Sequence, residues 1–129
     1  MVKEIFSIEI YGDNFSPAKV EQTVDLTFSN KNEIGEIGKL GRYKNLPIPY
    51  GSATIKNSEN ASLASFLMYF RKYITIIRQN GGKSIYLNCG YFYSGQCNCE
   101  LGIEEIALLN EMKIPFIFSV YEDEKLPDE

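Results

Sequence analysis

At 129 residues, 44% hydrophobic and 23% charged, the chain has the size and composition of one folded domain, able to bury a core without disulfide or metal staples. Its formal charge is −4, and it holds no run of about 18 apolar residues that would span a membrane as a helix. It contains no histidine, which removes the Ser–His and Cys–His nucleophile pairs and the commonest general base near neutral pH.

Residues 4–11 read as a strand, with Phe6, Ile8 and Ile10 alternating with Ser7, Glu9 and Tyr11. Gly12-Asp13-Asn14 marks a turn, and Ser16-Pro17 starts a short helix with serine as N-cap and proline in its first turn. Residues 30–50 are rich in glycine and lysine and predict a long loop or loose hairpin, leading to a strand over 51–56. A helix start at Ser58-Glu59-Asn60 opens the clearest element. There Leu63, Phe66, Leu67, Phe70, Ile74 and Ile77 make one apolar stripe at helical spacing, closed by Asn80-Gly81-Gly82. Residues 85–93 form a strand whose Ile85, Leu87, Cys89, Tyr91 and Tyr93 share a face. Residues 102–112 predict a third helix, with Glu104 and Glu105 at its positive end. Phe116, Phe118 and Val120 alternate in a last strand, and an acidic, flexible tail is expected from about residue 123.

The expected fold is therefore α+β, a single α/β domain over 1–129. Its sheet is mainly antiparallel or mixed, with four to five strands, and carries one long and two shorter helices mainly on one face.

Motifs that would carry chemistry are incomplete. Gly82-Lys83-Ser84 resembles the end of a phosphate-binding loop, but Ile77 stands where the first glycine belongs, and a helix precedes where one should follow. Gly35, Gly38 and Gly41 recur around Lys39, Arg42 and Lys44, a pattern that fits a flexible connection or a basic loop gripping an anion. Cys97-Asn98-Cys99 with Cys89 lacks the histidines that would complete a zinc site, so no metal or other cofactor is expected. Glu104 and Glu105 are adjacent on a helix and diverge, a poor acid–base pair. No catalytic residue is assigned, and the expectation is that the chain is not an enzyme.

Charge and aromatics point instead to binding. From residue 100 onward nine carboxylates face only Lys113 and Lys125, a net −7 that leaves +3 for the first 99 residues. Such an acidic third repels nucleic acid and attracts a basic protein. Tyr69 and Tyr73 lie one helical turn apart, and Tyr91 and Tyr93 share a strand face; tyrosine is frequent in interface hot spots. Three cysteines and no export signal point to a reducing, cytoplasmic setting, with the chain a monomer or a homodimer.

The opening Ile8-Glu9-Ile10-Tyr11-Gly12-Asp13-Asn14-Phe15-Ser16-Pro17 resembles that of the bacterial family known as domain of unknown function 4279. So does the second half, with its glycine-ended helix, its aromatic strand and the run Leu101-Gly102-Ile103-Glu104-Glu105-Ile106-Ala107-Leu108-Leu109. The resemblance spans nearly the whole chain, in structural and not chemical motifs. It departs at 51–53, where the family commonly carries tryptophan and this chain has Gly51-Ser52-Ala53, and at Gly102, where the family tends to have serine. The resemblance implies an immunity-protein-like role, in which the chain binds and neutralises a cognate bacterial toxin. The expected surface is Glu104, Glu105, Glu122, Asp123 and Glu124, with Tyr91, Tyr93, Tyr69 and Tyr73 as anchors. The alternative is a small ligand-binding or regulatory domain that uses the loop at 35–44.

Overall fold

The computed structural model describes residues 2–58 and 61–126. Five strands, β1 (Val2–Gly12), β2 (Asn30–Asn32), β3 (Gly51–Lys56), β4 (Ser84–Tyr93) and β5 (Phe116–Glu122), form one mixed sheet in the order β2-β3-β1-β4-β5. Every neighbouring pair is antiparallel except β4–β5, which is parallel. The parallel pair is joined through α4 (Ile103–Met112), because parallel strands need a crossover longer than a hairpin turn. The other helices are α1 (Pro17–Thr23), α2 (Leu63–Arg71) and α3 (Ile74–Gln79).

Strand parity divides the sheet chemically. Ile8 lies opposite Ile55 and Leu87, and Ile10 opposite Ala53 and Ile85; all are buried. They join Phe66, Leu67, Phe70, Ile77, Leu109 and Met112 in one apolar cluster. The alternate residues are mostly polar or aromatic. Among them Glu9 accepts hydrogen bonds from Ser7 Oγ at 3.1 Å and from Thr54 Oγ1 at 2.6 Å.

The helix at Ser16-Pro17 forms as expected, with Ser16 Oγ accepting from Lys19 N. The single long helix does not. The apolar stripe is carried by two helices, α2 and α3, and every member of it is buried. Between them the bonding tightens: Lys72 N donates to Tyr69 O and Tyr73 N to Phe70 O, both three residues back. Ile74-Thr75-Ile76-Ile77 is a β-branched run that weakens helical continuity, and Tyr73 Oη is tied to Asp25 O at 3.1 Å. The N-cap is Ser62, whose Oγ accepts from Ser65 N. Glu59 and Asn60 of the expected start lie outside the described residues.

The 30–50 region is a loose hairpin, as expected, with β2 at its start. Gly35 N donates to Ile48 O, Gly38 N to Leu46 O and Asn45 N to Gly38 O. Residues 123–126 form a turn: Asp123 N donates to Tyr93 O at 2.7 Å, and Leu126 N to Asp123 O. Asp128 and Glu129 lie outside the described residues.

Candidate functional site

The parallel pairing locates the acidic residues that end β5. Glu122 sits opposite Tyr93, so Glu122, Asp123 and Glu124 stand at the end of the sheet where β4 finishes. Helix α4 links β4 to β5 and packs against α2: Glu104, in its first turn, lines a cleft with Met68, Arg71 and Glu111. Apolar Ile103, Val120 and Tyr121 are exposed nearby in sequence, at 89%, 49% and 52%.

The tyrosines divide. Tyr91 is fully buried, against Phe6 and Phe118, and cannot serve as the surface anchor expected of it. Parity explains the correction, because Tyr91 shares the inward face with Leu87 and Cys89. Burial, reinforced by Cys89 and Glu4, pushes its hydroxyl far above the ordinary phenol range, and that hydroxyl has no hydrogen-bond partner among the described residues. Tyr93 is half-buried. Tyr69 and Tyr73 meet edge to face at 5.3 Å, with Lys72 above both rings. Burial and Tyr73 raise the Tyr69 hydroxyl. Tyr69, on α2, also lines a cleft of about 590 Å³ with Phe28, Ile55 and Phe66, and Tyr73 stands at the N-cap of α3.

In the basic loop, Lys39, Arg42 and Lys44 are exposed, and the Arg42 guanidinium lies 5.5 Å from the Tyr43 ring centre. Gly38 is required by close approach, since a Cβ there would stand 2.2 Å from Tyr43 O. Glu33 anchors the base of the loop to α1, accepting from Ser16 Oγ at 2.6 Å and from Ala18 N at 3.1 Å. Glu21 bonds Phe28 N and Lys31 Nζ, and the lysine holds its carboxyl below the usual range. Neither glutamate was singled out from the sequence, where nothing marks a carboxylate that caps from a distance.

Gly81 and Gly82 close α3 as a C-cap. Gly82 N donates to Ile77 O and Gly81 N to Arg78 O, so Gly82-Lys83-Ser84 is a helix exit and strand start. Cys89 is buried, and burial pushes its thiol up to about 12. Cys97 and Cys99 stand 3.7 Å apart at sulfur. No group of three or more metal-ligating side chains occurs among the described residues.

Two further features escaped sequence reading. Tyr11 stacks on Tyr86 and meets Tyr50 edge-on, and burial plus the Tyr86 hydrogen bond pushes the Tyr11 hydroxyl up to about 12. Arg78, Lys83 and Lys113 line one cleft with Tyr11, Tyr86 and Pro115 at the opposite end of the sheet from the acidic group. Strand parity could have paired the tyrosines, but the cations come from three separate elements. Among the described residues no helix is long and apolar enough to cross a membrane. No family model matches this chain, and neither a curated protein nor a solved structure matches it.

Proposed function

We propose that the chain is a non-enzymatic immunity protein of the bacterial cytoplasm that binds and neutralises a cognate toxin, a basic nuclease of the contact-dependent or polymorphic kind. One observation carries this reading. Glu104 and Glu105 open α4, Glu122 ends β5 and Asp123 and Glu124 follow it, while Ile103, Val120 and Tyr121, next to these carboxylates in sequence, are exposed. Exposed apolar side chains bordered by charged ones are ordinary components of a protein interface. Carboxylates of one sign speed the approach of a basic partner and reject acidic ones. In this reading the helices lie mainly on the Ile8–Leu87 face of the sheet, and the contact with the toxin is made at the sheet end.

The test is binding kinetics against a basic protein captured from the source cell and inhibited by this chain in a nuclease assay. Reversing Glu122, Asp123 and Glu124 together to lysine should slow association by about tenfold or more and flatten its salt dependence. Unchanged kinetics would remove this surface.

A second reading, a small anion-binding domain, is favoured by the closed hairpin that presents Lys39, Arg42 and Lys44. A nucleotide or phosphorylated metabolite bound there raises the melting temperature of the native chain and not of a Lys39/Arg42/Lys44 triple-alanine variant.

A further inference from the structure

The two edges of the sheet are built differently. The β2 edge is three residues long and polar, and its Lys31 is ion-paired with Glu21. Short, charged edge strands are a common protection against pairing with another chain. The β5 edge has no such protection. Its sequence, Phe-Ile-Phe-Ser-Val-Tyr-Glu, contains no proline or lysine, and Phe116, Ile117, Phe118, Val120 and Tyr121 are 40–52% exposed.

Its free hydrogen-bonding groups follow from two bonds. Leu87 N donates to Pro115 O, and Asp123 N donates to Tyr93 O. In an unbroken parallel ladder alternate residues turn both backbone groups to the same side. The odd-numbered residues of β5 therefore face β4. Phe116, Phe118, Val120 and Glu122 present N–H and C=O at the open edge.

Charge selects the occupant. Arg78, Lys83 and Lys113 gather where β5 begins, beside Pro115, and form no ion pair with a carboxylate of the described residues. Glu122, Asp123 and Glu124 stand where β5 ends. An edge that is basic at one end and acidic at the other is complementary to an antiparallel copy of itself.

We infer that β5 pairs antiparallel with β5 of a second copy about a two-fold axis at Ser119, joining the two sheets into one. In that register Phe118 opposes Val120 of the second copy, and Phe116 opposes Glu122. Every outward backbone group of β5 then finds a partner, in roughly eight hydrogen bonds. On the other face Ile117 opposes Tyr121, and the small Ser119 side chains meet at the axis. Each acidic end lies beside the Lys113 end of the other copy. A toxin that used Glu122–Glu124 would have to displace the second copy, so dimerisation and toxin binding through these carboxylates are mutually exclusive.

Sedimentation equilibrium of the full chain over a wide concentration range tests this. The wild type should form a reversible, closed dimer, tighter at low salt. Val120→Lys, at an exposed edge position, should weaken the dimer by at least about tenfold while leaving the circular dichroism spectrum unchanged. Should that variant misfold, the surface pair Lys113→Glu and Asp123→Lys provides a second arm: each weakens the dimer alone, and the two together restore it. A chain monomeric at every concentration overturns the inference. So does a dimer indifferent to both arms, or open-ended growth, which would mean that β5 pairs with the β2 edge of another copy.

Discussion

At the scale of single residues, position on a strand outweighs side-chain type. Cys89 and Tyr91 follow Ile85 and Leu87 on one face of β4, and all four are buried. The sequence showed that shared face plainly. Tyrosine's abundance in interfaces pulled Tyr91 outward, although the parity of its own strand placed it inside. The result is a buried phenol whose oxygen has no hydrogen-bond partner among the described residues. A buried, unsatisfied hydroxyl costs about 1–3 kcal/mol, and the ring alone fills the space against Phe6 and Phe118. Tyr91→Phe should therefore leave the fold intact and stabilise it by about 1 kcal/mol in urea unfolding. Destabilisation of that size would show that the hydroxyl is bonded after all. Tyr93, one position out of the core, should tolerate the same substitution with a change within about 0.5 kcal/mol.

At the scale of elements, local signals are legible in the sequence and distant ones are not. Ser16-Pro17, the glycine pair after Asn80 and the alternation in β1 and β4 all act within a few residues, and the structure has each where the sequence put it. The stripe from Leu63 to Ile77 identified the buried face correctly but concealed the break at Lys72-Tyr73, because helical spacing survives a tightened turn. The β-branched run that follows weakens helical continuity there, and Tyr73 is tied to Asp25, far off in sequence. The start of α1 has a similar dependence. Ser16 caps the helix locally, while Glu33 reaches back from the loop to Ser16 Oγ and Ala18 N. A carboxylate at a helix N-terminus bonds an otherwise orphaned N–H and meets the positive end of the dipole. Glu33→Ala and Ser16→Ala should each cost about 1–2 kcal/mol, and the double variant less than their sum. Strict additivity in a double-mutant cycle would mean that the two caps act independently.

At the scale of the whole molecule, charge asymmetry was legible and edge exposure was not. Counting carboxylates after residue 100 reveals the acidic third; which end of the sheet it occupies depends on β5 lying parallel to β4, a long-range pairing with no sequence marker. The alternation of Phe116, Phe118 and Val120 predicts a strand, and all three of these apolar residues are 40–49% exposed. Parity gives each of them a face, but only the strand's place at the edge leaves that face uncovered. Pairing of two β5 edges would supply the missing cover and couple assembly to stability, because a second copy that binds only the native state must stabilise it. Each tenfold rise in protein concentration then adds about 1.4 kcal/mol per mole of dimer, or about 0.7 per chain, once the dimer predominates. For a chain of this size that corresponds to a rise of roughly 2–3 °C in melting temperature per decade. Differential scanning calorimetry across two decades should show this upward drift in the wild type and, in Val120→Lys, a drift that begins only at concentrations at least about tenfold higher. A flat response in both would place the stability of the fold within a single chain and leave the β5 edge solvated.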